Sequence, residues 1–200
     1  MTNIVAIYGS PRRNGNSAGL LHQAVAGARA QGAEVEEIFL RDYKISPCLE
    51  IYQCIKTGEC AIRDDFPQIL AKIEACDGIM LASPIFFYTV SAHTKTFMDR
   101  CQSLWVRKYW INKEEFGKVP DKRQGLFLSV GATSGKKLFD GALLTVKYFF
   151  DVVDAALWKT VLVRGVDRRG EIDKCPDSLQ EAYEAGRGLV RVLADARKPD

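Results

Sequence analysis

Five times along this chain a short apolar, β-rich run gives way to a stretch with helical spacing. Residues 4–8 are apolar and end at Gly9. Residues 18–31 carry Leu20, Leu21, Ala24, Val25 and Ala28 three or four apart, and Gly32 stops them. A second strand is expected over 35–40. Asp64-Asp65 before Pro67 opens a helix whose inner face is Ile69, Leu70 and Ile73. Strands follow at 78–83, 124–130 and 157–163, and helices at 92–104, 138–154 and 178–196. Runs apolar throughout, separated by helices, belong to strands buried on both faces. The chain is therefore expected to form an α/β protein, a three-layer, doubly wound, five-stranded parallel sheet with right-handed crossovers.

Charge and composition remove several classes of function. The chain has 200 residues, with 28 basic and 25 acidic, giving a net charge of +3. That balance gives no footprint for nucleic acid. No apolar run approaches the ~20 residues of a membrane span. The N-terminal residues lack the basic flank and apolar stretch of a signal peptide. The expectation is a cytoplasmic protein with neither nucleic acid nor membrane as partner, its six cysteines reduced. One domain over 1–200 is expected, with irregular insertions at about 43–63 and 105–123.

In open parallel sheets ligands bind beyond the carboxyl ends of the strands. The loop after the first strand is Gly9-Ser10-Pro11-Arg12-Arg13-Asn14-Gly15-Asn16-Ser17, and it opens a helix. A helix start presents unpaired N–H groups and a positive dipole end. Ser10, Asn16 and Ser17 add short hydrogen-bonding groups, and Arg12 or Arg13 adds a guanidinium suited to phosphate. The glycine spacing fits neither the dinucleotide fingerprint nor the triphosphate loop, so a terminal monophosphate is the better match. A plain polar loop with Ser17 as helix cap is the alternative. After the third strand, Ser83-Pro84-Ile85-Phe86-Phe87-Tyr88 offers an apolar wall for a flat ring. After the fourth, residues 129–135, with Gly131, permit close backbone approach.

GSPRRNGNS at 9–17, SPIFF at 83–87 and Lys95 with Asp99-Arg100 resemble the NAD(P)H-dependent FMN reductase family, and more closely its iron–sulfur flavoprotein branch. The resemblance implies a flavodoxin-like fold, strand order 2-1-3-4-5, with FMN at the strand ends. It implies that Ser10, Arg12, Asn16 and Ser17 hold the phosphate, that Pro84, Ile85, Phe86 and Phe87 bind the ring, and that Gly131 belongs to the third loop. It implies electrons passing from NAD(P)H through FMN to a small acceptor such as a flavin, a quinone or a metal ion, and a homo-oligomer. The alternative is an FMN electron carrier between protein partners. No side chain is expected to act as nucleophile or metal ligand.

The insertion at 43–63 departs from that branch. Cys48, Cys54 and Cys60 follow one another at intervals of six, and Ile51 stands where a further cysteine of the branch would be. Cubane clusters take four thiolates, so an iron–sulfur cluster is disfavoured. Cys76 and Cys101 are expected in the core, Cys175 in an exposed loop, and Asp64-Asp65 as a helix cap. His22 is expected on the surface or in packing, and His93 and Lys95 at a helix start. Tyr109 and Trp110 are expected at a substrate mouth or subunit contact. Arg107 and Lys108 are either solvated or ligands for a nicotinamide cofactor's phosphate.

Overall fold

The computed structural model describes residues 1–116 and 123–196. Five parallel strands, β1 (Thr2–Tyr8), β2 (Ala33–Phe39), β3 (Gly78–Pro84), β4 (Gln124–Gly131) and β5 (Ala156–Arg164), lie in the order β2-β1-β3-β4-β5. This is the doubly wound, flavodoxin-like order expected from the sequence. The helices are α1 (Asn16–Ala30), α2 (Cys54–Thr57), α3 (Phe66–Ala75), α4 (Ala92–Arg100), α5 (Gln102–Trp105), α6 (Asp140–Val152) and α7 (Pro176–Asp195). None is long and apolar enough to cross a membrane among the described residues.

Alternation along the strands builds two cores. Ile4, Ala6, Tyr8, Met80, Ala82, Leu126 and Leu128 face α1 and α7. Val5, Ile7, Ile79, Leu81 and Phe127 face α3, α4 and α6. Strands sandwiched this way show unbroken apolar runs rather than alternation with polar residues. On the first face α1 and α7 meet backbone to backbone. A Cβ on Gly27 would stand 2.0 Å from Tyr183 O, and one on Gly186 1.9 Å from Ala24 O. That contact seats the middle of α7 against the second half of α1.

Helical spacing over 92–104 resolves into α4 and α5, followed by a π-helical turn at Val106–Ile111. The insertion over 43–65 holds only α2 as regular structure, besides its helix-entry residues. It is organised by Arg100, at the end of α4 and 1% exposed. The Arg100 guanidinium ion-pairs with Asp64 and donates to the carbonyls of Ser46 (3.0 Å) and Ile62 (3.3 Å) and to Cys60 Sγ (3.3 Å). It also lies 4.8 Å over the Phe66 ring. The second insertion is pinned by buried Lys108, whose Nζ donates to Asp151 O (2.6 Å) and pairs with Asp154 (2.7 Å). Residues 117–122 of that insertion lie outside the described residues.

Candidate functional site

Three loops at the carboxyl edge are locked together before any ligand enters. Gly9 N donates to Ala82 O at 2.7 Å, Ile85 N to Val130 O at 2.9 Å, and Ser129 Oγ to Ser83 O at 2.7 Å. Ser91 Oγ donates to Gly9 O and caps α4 by accepting from Thr94 N. Gly9 is required by this packing, since a Cβ there would stand 1.9 Å from Thr94 Oγ1.

These loops enclose a cavity of about 230 Å³ lined by the 10–12 and 15–17 segments, Pro84–Phe86, Val130–Ala132, Val166 and Asp167. At its polar end α1 begins without the usual aids. Its N-cap is Gly15, with no side-chain cap and no acidic residue in the first turn. The expected alternative of Ser17 as cap is thereby excluded. The first-turn N–H groups and the positive dipole end are left for an anion. Ser17 is 1% exposed yet lines the cavity, and its hydroxyl has no partner among the described residues. Ser10 Oγ accepts from Arg12 N at 3.0 Å, closing the turn while its own proton stays available.

The two arginines of this turn are placed differently. Arg13 ion-pairs with Asp42 and stacks 4.5 Å over Phe39. Arg12 lines the cavity and is exposed, with no ion pair among the described residues.

Eight of the nine residues singled out from the sequence line this cavity: Ser10, Arg12, Asn16, Ser17, Pro84, Ile85, Phe86 and Gly131. The ninth, Phe87, does not, being 100% exposed. It occupies, with Tyr88, a two-residue turn closed by Phe86 N to Thr89 O (2.9 Å) and Thr89 N to Phe86 O (3.0 Å). Both central residues have positive φ, 49° and 62°. This left-handed conformation is costly for bulky aromatics and is usually given to Asn-Gly. Asn16 lines the cavity, but its side-chain amide faces elsewhere. Nδ2 donates to Arg168 O (2.8 Å), and Oδ1 accepts from Gly170 N (3.0 Å) and Ile172 N (3.4 Å). Val166 and Asp167, from the turn after β5, are cavity residues the sequence reading missed. The strand-end rule applies to β5 as well, and Gly165 and Gly170 flanking Arg168-Arg169 were the available signal.

A second cavity, about 500 Å³, lies between the first insertion and the α4–α5 region. Cys48, Cys54 and Cys60 all line it, with Leu49, Ile51, Trp105 and Trp110 among its apolar walls. Among the described residues no three His, Cys, Asp or Glu side chains are grouped so as to hold a metal ion.

Several smaller expectations change. Lys108 is buried on Asp151 and Asp154, and Arg107 ion-pairs with Glu74, so neither is held ready for a cofactor phosphate. Cys175 is half-buried against the core at the start of α7 rather than exposed. Asp64 accepts from Phe66 N as a helix start would have it, but also from Ser46 N and Arg100. His22 packs on Tyr8, with the Tyr8 hydroxyl 3.0 Å from its Nδ1, and Lys95 pairs with Asp99 within α4. Cys76 and Cys101 are buried as expected, and burial pushes the Cys76 thiol up to about 11.

Comparison with known proteins agrees with this geometry. The sequence profile of the NADPH-dependent FMN reductase family matches residues 2–154. An iron–sulfur flavoprotein of Methanocaldococcus jannaschii is 41% identical over 110 residues, 55% of this chain and 57% of that relative's length. Another, from Archaeoglobus fulgidus, is 37% identical over 144 residues, covering 71% of this chain and 69% of its own. In three dimensions an NAD(P)H:quinone oxidoreductase from Methanothermobacter marburgensis superposes with a TM-score of 0.70 at 17% identity, over 94% of this chain and 96% of the other.

Proposed function

The chain belongs to the NADPH-dependent FMN reductase family, and we propose that it is an FMN-dependent oxidoreductase of one FMN-binding domain that takes electrons from NAD(P)H and delivers them to a small acceptor. The observation that carries this reading is the uncapped start of α1 beside Ser17, whose hydroxyl makes no hydrogen bond among the described residues and which lines the same cavity as Pro84–Phe86. Such a start suits a phosphoryl dianion.

FMN, when bound, supplies the redox chemistry; the chain holds and orients it. Ser10 and Ser17 would donate hydrogen bonds to the phosphate, the first-turn N–H groups of α1 would add theirs, and Arg12 would offset its charge. Ile85, Phe86 and Val130 form an apolar wall that would face the ring, and Gly131 would let the backbone approach it. The cavity of about 230 Å³ is smaller than the ~300–1,000 Å³ of sites that enclose a whole ligand. Phe86 and the exposed Phe87 and Tyr88 stand beside the cavity, where a nicotinamide donor and a small acceptor would approach. The exposed Phe87 and Tyr88, next to the cavity residue Phe86, give a homo-oligomer an apolar contact near that opening, and a cytoplasmic location suits six unpaired cysteines.

The iron–sulfur cluster named for the two relatives is left out of the proposal. Position 51 is isoleucine, Cys60 Sγ accepts from Arg100, and the described residues offer no grouped metal-binding set. No step is derived through such a group.

The test is to purify the protein and add FMN if it is colourless. Retained yellow flavin, bleached by NADPH or NADH, is expected. Protein that stays empty refutes the reading. Flavin reduced slowly by NAD(P)H but quickly by a reduced iron–sulfur carrier moves the assignment to an electron-transfer protein.

A further inference from the structure

The side chain of Asn16 stands at the polar end of the cavity, where a direct phosphate contact is the simplest expectation. Its three hydrogen bonds all go instead to the turn between β5 and α7, at Arg168, Gly170 and Ile172. An amide offers two donors and one acceptor oxygen, and here one donor and both acceptor positions are engaged. Asn16 is itself buried, at 8% exposure.

The turn it holds is otherwise shaped by one exposed carboxylate. Glu171 Oε2 accepts from Asp167 N (2.9 Å) and Arg168 N (2.8 Å). Gly170, at φ 83°, supplies the left-handed residue the turn needs. Val166 and Asp167 reach the cavity wall. The next two residues, Arg168 and Arg169, are exposed, with no ion pair among the described residues. The remaining end of the turn is held by Ile172, which is buried against α1, where a Cβ on Gly19 would stand 3.0 Å from its Cγ2.

We infer that the β5–α7 turn is the second half of the phosphate site, and that Asn16 is a positioning residue that clamps it beside the α1 start. The inference rests on the FMN reading and deepens it. The α1 start supplies hydrogen bonds, and the clamped turn supplies a wall and two further positive charges. The Asp167 carboxylate beside it opposes a plain excess of anions. The ligand class selected is a phosphomonoester dianion in preference to the same ring system without phosphate.

The experiment compares FMN with riboflavin, binding followed by quenching of flavin fluorescence. The unaltered protein is expected to bind FMN at least a hundredfold more tightly than riboflavin. Asn16→Ala is expected to lower FMN affinity about tenfold and leave riboflavin affinity within twofold, so that the ratio falls. Arg168→Gln with Arg169→Gln, both exposed and neutral to folding, is expected to lower FMN affinity about threefold at low salt, with riboflavin unchanged. If folded Asn16→Ala keeps the FMN-to-riboflavin ratio within twofold, the inference is overturned. Should that variant fail to fold, an unchanged ratio in the arginine double variant overturns it. If the unaltered protein binds no FMN, the functional reading itself fails.

Discussion

The turn at 9–17 and the insertion at 43–65 are both irregular segments leaving the carboxyl edge of neighbouring strands, and they are closed in different ways. The tip of the turn closes on its own residues, although Gly9, Pro11 and Asn16 also bond to Ser91, Arg41 and the 168–172 segment. Ser10 closes it onto Arg12 N, Gly15 N returns to Arg12 O at 3.2 Å, and the helix starts at the next residue. The insertion is shaped by a residue more than thirty positions away. Arg100 gathers Ser46, Cys60, Ile62 and Asp64 around one buried guanidinium. A locally closed loop can be altered for its ligand with little effect on the fold. A loop hung on one remote charge cannot.

The sharpest way to break this contrast is Arg100→Met. Asp64 then keeps a carboxylate whose side chain is 9% exposed, without its counter-charge. Removing one partner of a buried pair costs about 3–5 kcal/mol, and a loss near 3 kcal/mol is expected in urea unfolding, because the Ser46 and Phe66 N–H groups still serve Asp64. New protease cleavage should fall within 43–65. A loss under about 1 kcal/mol would mean that the insertion folds on local terms after all.

Ser17→Ala probes the other region. Among the described residues nothing holds the Ser17 hydroxyl, so unfolding stability should change by less than about 0.5 kcal/mol. FMN affinity should nevertheless fall at least tenfold, since a hydrogen bond to a charged group is worth about 1.5–3 kcal/mol. Stability and binding would separate at the turn and not at the insertion. Equal FMN affinity in the variant would remove Ser17 from the site.

That separation also accounts for what could be read in the chain beforehand. The strands follow from periodicity, and the polar loop at 9–17 from short-range turn chemistry, which a single sequence carries; the strand order and the roles of the cavity residues come from the family resemblance. The role of Arg100 could not be read so, because nothing near position 100 says which carbonyls it will meet. Asn16 was legible as a site residue from its neighbours, whereas its partners at 168–172 lie more than 150 positions away. Helix boundaries moved for a related reason. The apolar pattern of α1 begins at Ala18, but its first turn is polar and begins at Asn16.

Acid sharpens the contrast further. Burial works against ionisation of Asp64, but the Arg100 guanidinium and the N–H groups of Ser46 and Phe66 outweigh it and hold the carboxyl below its usual range. A group ionised more readily folded than unfolded adds stability above its unfolded value, about 3.9, and that stability is lost as pH falls through the lowered folded value. Thermal unfolding between pH 5 and 2.5 should therefore weaken faster in the unaltered protein than in Asp64→Asn. Parallel slopes would show that Asp64 is not ionised preferentially in the folded state.

The smallest effect concerns a third loop, which belongs with neither extreme. The Phe87–Tyr88 turn is closed locally, by the pair of hydrogen bonds between Phe86 and Thr89, yet its residues are the wrong ones for its shape. A non-glycine residue in the left-handed region costs of the order of 1 kcal/mol, and asparagine tolerates it best. Phe87 is fully exposed, so Phe87→Asn forfeits no burial and should raise stability by about 0.5 kcal/mol. If the aromatic is kept at that cost because it meets the acceptor or a second copy of the chain, the same variant should lower turnover or weaken association while FMN binding holds. A variant with neither gain nor loss would show that the turn is not strained.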